Sequence, residues 1–184
     1  VIFNPGRTKR GVGSNLEGGP PLEPNRDYAL RIRAGLRDAE GDPLPADFLH
    51  RFRTTEPLRE PLDIDRWDVQ VPAPGTRDPL TVTFDRWVDP DQAEHRILLY
   101  NGHQRRFPIR AESSGRSLTL TPLEDWREGC LTLAVSPELE DVSGNRTVRA
   151  FDQLGKGSRT ARFRPIEVGE GLGCAPALTH ATRH

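Results

Sequence analysis

The chain has 184 residues, room for one large domain or two small ones. A net charge of −1 removes any bulk electrostatic pull toward nucleic acid or an anionic membrane surface, and no apolar run is long enough for a membrane helix. With 34% hydrophobic residues, 17 Gly and 17 Pro, composition favours a loop-rich protein of short strands over a helical one.

Only Lys9 and Lys156 of the 26 basic residues are lysine, a bias assigned to genome composition ahead of an arginine-rich contact surface. No signal peptide is visible. Methionine is absent, so Val1 is expected to follow processing or truncation, with any targeting segment upstream.

Val1-Ile2-Phe3-Asn4-Pro5-Gly6 reads as the middle of a strand ending in a turn, and a Gly-rich basic loop follows to residue 19. Tyr28, Leu30 and Ile32 alternate with charged Arg31 and Arg33, the pattern of a half-buried strand. Asp38-Ala-Glu-Gly41-Asp42-Pro43 is a turn signal, and Phe48 to Thr55 reads as a closing strand. Residues 1–56 are therefore expected to be the C-terminal part of a first module that lacks its opening strands. Residues 57–66, with two prolines and mixed charges, are the expected linker.

Residues 67–152 read as a complete second module. Trp67 to Val71, Leu80 to Phe84 and Leu118 to Leu120 alternate as strands, and Arg96 to Tyr100 is a more continuous apolar run suited to an interior strand. Asn101-Gly102 predicts a hairpin turn into Arg106–Arg110, where Pro108 points to an edge strand or bulge. Asp89 to His95 predicts the one helical turn, capped by Asp89 with Pro90 in first position. Leu131-x-Leu133-x-Val135 and then Asn145–Phe151 are expected to close an antiparallel sandwich. Residues 153–184 are expected to be an extended or flexible tail with no alternation beyond Ala161–Val168.

The two modules share a pattern. At a constant offset of 103, Leu30 matches Leu133, Ile32 matches Val135, Leu36 matches Leu139, Asp38 matches Asp141, Gly41 matches Gly144 and Phe48 matches Phe151. A repeat at domain-sized spacing predicts tandem modules. The second copy, with Phe84, Asp89, Pro122, Trp126, Gly129 to Val135, Asp141-Val-Ser-Gly144-Asn145 and Phe151, resembles the bacterial Ig-like modules of surface-layer proteins (SbsA-like, or Big-type). The first copy keeps Pro24, Tyr28, Leu36, Asp38, Gly41 and Phe48. It departs at Asp42, where the pattern has Asn, and the second departs at Leu131, where an aromatic is usual.

The resemblance implies an all-β fold of tandem immunoglobulin-like antiparallel sandwiches. It further implies an extracytoplasmic, non-catalytic protein (in the periplasm or at the cell surface) that acts as a spacer, adhesion or assembly element, possible as an accessory subunit of a membrane-bound complex. Its partners would be other envelope proteins, met through edge strands, arginine-rich faces and the tail, and no cofactor is expected. Cys130 and Cys174 are one possible disulfide, the alternatives being free thiols or an attachment site. The extracytoplasmic placement favours the bond.

Candidate chemistry is sparse. Asp38 and Asp141 could ligate calcium, but one carboxylate per turn is too few oxygens, and an Asx-type turn is expected. Asp85, Asp89, Asp91 and Glu94 lack EF-hand spacing and are expected to cap and flank the helical turn. His180 and His184 stand four apart without the Glu of a metallohydrolase motif, and His50, His95 and His103 are scattered. Ser113-Ser114-Gly115 reads as a hairpin tip, and Cys130 has no histidine near it in sequence, so no enzyme is expected. Trp126 is expected to seal the sandwich, while Trp87, just past a strand, is the expected exposed contact. The rival function is a carbohydrate- or calcium-binding module appended to a surface enzyme.

Overall fold

The computed structural model describes residues 22–148 and 160–174. The chain divides into two units, one ending at Leu58 and the other beginning at Arg59. Among the described residues strands are the main regular structure, every strand pairing is antiparallel, and there is one short α-helix.

In the first unit β1 (Asp27–Ile32) and β2 (Phe48–Arg53) form a hairpin. The register sets Tyr28 opposite Phe52, Leu30 opposite His50 and Ile32 opposite Phe48. Because side chains alternate along a strand, all six lie on one face. Their rings form a row: Tyr28 stacks on Phe52 at 5.7 Å, and His50 stands between Phe48 at 6.4 Å and Phe52 at 6.1 Å. The opposite face carries Ala29 and the exposed Leu49 among charged residues, with Arg53 paired to Asp27 and Arg31 to Asp47. No apolar side chain in the described part of this unit is fully buried, and Phe48 is 49% exposed.

The second unit has two antiparallel sheets. One runs in the order β3 (Asp68–Gln70), β4 (Leu80–Thr83), β7 (Ser117–Pro122), β6 (Ile109–Ser113). The other runs β5 (Ile97–Asn101), β8 (Gly129–Val135), β9 (Arg162–Val168). Inward positions of both sheets share one core: Leu80, Val82, Leu118 and Leu120 from the first, and Ile97, Leu99, Leu133, Val135, Ile166 and Val168 from the second. This face-to-face arrangement is sandwich-like. Trp126 stacks on Phe107 at 5.0 Å and donates its indole N–H to the Asp78 carbonyl at 2.7 Å, closing one part of that core.

The helix α1 (Pro90–Arg96) forms where the Asp-Pro pair predicts it. Asp89 accepts from the Gln92 N–H at 3.1 Å, and Pro90 gives up no needed donor at the first helical position.

Four expectations need revision. The supposed linker 57–66 joins the second unit from Arg59 onward: Leu62 and Ile64 are core residues, and Ile64–Arg66 forms a 3-10 turn capped by Asp63. Arg106–Arg110 does not complete a simple hairpin. Arg106 makes a single bridge to Tyr100, and the chain then crosses to the other sheet, where β6 is an edge strand that tolerates the neighbouring Pro108. The stretch from Asn145 is not a closing strand in its described part. It is turn and bridge as far as Val148, and 149–151 lie outside the described residues. The strand in that place is β9, inside the supposed tail, pairing along β8 from Gly129↔Val168 to Val135↔Arg162. Arg164 in β9 also donates to the carbonyls of Ile64 and Trp67.

Candidate functional site

The repeated turn is the first feature that the structure resolves twice. Asp38 Oδ1 accepts from the N–H groups of Glu40 and Asp42 at 3.1 and 2.8 Å. Asp141 Oδ1 accepts from Ser143 and Asn145 at 2.9 and 2.8 Å. The backbone bonds also correspond: Asp38 N–H to Asp42 O and Asp141 N–H to Asn145 O, then Gly41 N–H to Asp38 O and Gly144 N–H to Asp141 O. Both glycines sit at positive φ, +94° and +82°, which an L side chain would strain. The bridges Arg37↔Pro43 and Glu140↔Arg146 sit 103 positions apart as well. In both copies the carboxylates do the work of an Asx turn.

The copies differ in what holds the turn. Asp141 is 3% exposed and also accepts from the Asn145 side-chain amide at 2.9 Å. The nearly buried Arg86 guanidinium lies 3.6 Å from it, bonds Asp85, and donates to the Glu60 carbonyl at 3.1 Å. The turn is seated by Val142 N–H to Trp87 O at 3.1 Å and by the Val88↔Asp141 bridge. In the first copy Asp42 stands where Asn145 stands in the second, so that amide donor is missing, and Asp38 is exposed.

Trp87 is 53% exposed. A Cβ placed on Gly115 would fall 2.5 Å from its ring, so the indole is bedded directly on that glycine's backbone. Val142, also exposed, donates its backbone N–H to the Trp87 carbonyl at 3.1 Å. Trp67 and Trp126 are buried in the core.

The acidic cluster does not converge. Asp85 faces Arg86, Asp89 caps α1, and Glu94 accepts from the Ser113 N–H at 2.8 Å. No group of three or more His, Cys, Asp or Glu side chains suited to a metal occurs among the described residues. His95 bonds the Asp91 carbonyl at 2.8 Å, and His50 belongs to the ring row of the hairpin. His180 and His184 lie outside the described residues. The Ser114 hydroxyl pairs with that of Ser117 at 2.9 Å. Cys130 and Cys174 are joined in a disulfide, which ties the end of the described chain to β8.

A cleft of about 720 Å³ opens on the second unit between Glu60, Asp63, Arg66, Thr147 and Arg162. Thr147 buries a hydroxyl with no hydrogen-bond partner, while Arg66 is already within 3.6 Å of Asp63. Val148 and Thr160 also line it, and residues 149–159 between them in sequence lie outside the described residues.

The feature that sequence reasoning did not single out is the outer edge of β1. Thr54 N–H donates to Arg26 O at 2.9 Å, and Arg26 N–H donates to Thr54 Oγ1, which marks 26/54 as a hydrogen-bonded pair. Antiparallel pairs alternate, so Tyr28, Leu30 and Ile32 bond β2, and the backbone groups of Asp27, Ala29 and Arg31 point away from it. Among the described residues this sheet has two strands only. The available signal was the alternation of β1. No family model, curated protein or solved structure matches the chain.

Proposed function

We propose that the chain is a non-catalytic, extracytoplasmic assembly protein built from tandem immunoglobulin-like modules. It docks on other envelope proteins as an accessory subunit of a membrane-bound complex. The observation that carries this reading is the hairpin: Phe48 and Leu49 are exposed on it and, among the described residues, its sheet has two strands only, whereas in β8 the same pattern has a strand on each side and a buried face. The turn repeated bond for bond supports the tandem relation. The disulfide supports an oxidising compartment, since such bonds persist outside the cytosol. Gentle, non-denaturing isolation from the native source, followed by mass spectrometry, tests it. A stoichiometric envelope complex is the expected result, and a lone monomer would overturn it.

A second reading rests on Trp87. A half-exposed indole on a rigid glycine bed is a platform on which a sugar ring can stack, which favours a carbohydrate-binding module. Titration with soluble glycans would quench tryptophan fluorescence in the wild type and not in Trp87→Ala.

A further inference from the structure

We propose that Trp87 is the floor of a binding site for an acidic glycan: one pyranose ring stacks on the indole while its carboxylate meets the guanidinium of Arg116. This rests on the carbohydrate reading of Trp87, names the class of sugar, and is compatible with a place in an envelope complex.

Two turns of the second unit build the site. A short antiparallel ladder runs between 87–89 and 140–142: Val142 N–H donates to Trp87 O at 3.1 Å, Asp89 N–H donates to Glu140 O at 3.4 Å, and Val88 bridges Asp141. Trp87 and Val142 therefore stand directly opposite one another, and cross-strand partners send their side chains to the same face. Val88 and Asp141, one step along, are buried, while Trp87 is 53% and Val142 40% exposed, so this is the outer face. The tip of the β6–β7 hairpin holds the loop from below. Val88 N–H donates to Gly115 O at 2.8 Å, and Phe84 N–H donates to Arg116 O at 2.9 Å. Gly115 has a φ of +82°, and a Cβ there would lie 2.5 Å from the indole, so position 115 needs glycine on both counts. A ring fixed in this way has little freedom left to lose when a ligand stacks on it.

Size favours a sugar over a protein. A fully buried tryptophan hides about 150–250 Å², so the open half of Trp87 offers roughly 80–130 Å². A stable protein interface takes about 800 Å² from each partner. The open indole is on the scale of a single sugar ring. Charge then favours an acidic one. Glu140 is paired with Arg146 at 2.6 Å and Asp85 with Arg86 at 3.0 Å. Arg116 directly follows the glycine bed, so its Cα stands about 3.8 Å from that of Gly115. It is exposed, and among the described residues its guanidinium has no ion-pair or hydrogen-bond partner. A planar guanidinium beside a stacking ring suits a carboxylate, which it can hold through two N–H groups.

The test uses the full chain with tetragalacturonate and with its fully methyl-esterified, uncharged form, followed by amide and indole resonances. Tetragalacturonate is expected to shift the Trp87 indole and the Gly115 and Val142 amides saturably, while the buried Trp67 and Trp126 indoles stay in place. The methyl ester on the wild type, and tetragalacturonate on Arg116→Gln, are each expected to bind about fivefold more weakly at low salt, the range of a solvent-exposed charge pair, and the difference should shrink as salt is added. Trp87→Ala is expected to abolish the Gly115 and Val142 shifts, with unchanged β8 amides showing that the second unit stays folded. Equal affinity for the two forms, unaffected by Arg116→Gln, overturns the acidic assignment and leaves the carbohydrate reading standing. No saturable shift with either form overturns the proposal, and quenching of Trp87 by neutral glycans would then still support the broader reading. Shifts at Trp87 that grow with protein concentration in the absence of sugar would assign this face to a second copy of the chain and overturn both.

Discussion

Leu30 and Leu133 stand at corresponding places 103 positions apart, yet Leu30 is half-buried and Leu133 is wholly buried. The turn that follows each strand closes with the same hydrogen bonds. What separates the copies is cover. β8 has a strand on each edge and a second sheet over its face, whereas β1 has β2 alone among the described residues. Local sequence is enough to shape a strand and its turn. Stability as a module needs the non-local partners that bury the strand, because a lone two-stranded hairpin is marginal in water.

Truncating the two leucines would break this comparison if it is wrong. Leu133→Ala is expected to destabilise the second unit by ~3–5 kcal/mol, as for a fully buried leucine that leaves a cavity. Leu30→Ala should cost less than about 1 kcal/mol, since little packing is lost at a half-exposed site. Denaturant unfolding reads the first through the tryptophans, all of which lie in the second unit, and amide exchange in β1 reads the second. Equal costs would mean that the hairpin is covered.

The disulfide comes next. It closes 44 residues between β8 and the end of the described chain, so reduction should lower stability by ~3–4 kcal/mol in the chain-entropy account. The paired variant Cys130→Ser with Cys174→Ser should unfold at the same lower denaturant midpoint as the reduced wild type. A midpoint that does not move would show that β9 holds to β8 without its covalent tie.

The repeated aspartates give a smaller contrast. Asp141→Ala strips a buried carboxylate from two backbone N–H groups and from Asn145, and leaves Arg86 short of a counter-charge. That should cost about 2–3 kcal/mol, because buried donors are left unpaired. Asp38→Ala exposes its two N–H groups to water instead and should cost about 1 kcal/mol or less. Matching costs in thermal unfolding would remove the distinction between a seated turn and a solvated one.

Much of this could be read in the sequence where one residue type does one job. β4 and β7 alternate cleanly because one side of each meets the core, and Asp89-Pro90 marks the only α-helix of the described residues. β9 was harder: Arg162, Arg164 and Glu167 interrupt its apolar positions, and only Ile166 and Val168 are buried. An edge strand bonded on one side needs few apolar residues, and Pro165 is tolerated there. Leu62 and Ile64 were hidden among prolines and charges, in a segment with no period to read. Which side of β1 bonds β2 could not be read from composition, because it is set by strand register and not by residue type.

The smallest effect tests what holds the hairpin in place of a core. Asp47 accepts from the Ala34 N–H at 2.7 Å and pairs with Arg31, and these two contacts, the backbone bond first, hold its carboxyl below the usual carboxylate range. A depressed acid stabilises the folded form once it is ionised, so its contribution is complete above the ordinary carboxylate pKa. It is lost as pH falls through the lowered value. The site is open to solvent, and salt screens the charge part of the contact. The Ala34 amide resonance should therefore titrate in the acid range with Asp47, and Asp47→Asn should abolish that step while leaving the β8 amides untouched. If the Ala34 resonance shows the same acid step in the variant, the loop is held by something other than this carboxylate, and the polar hold on the hairpin must be sought on β1 and β2 themselves.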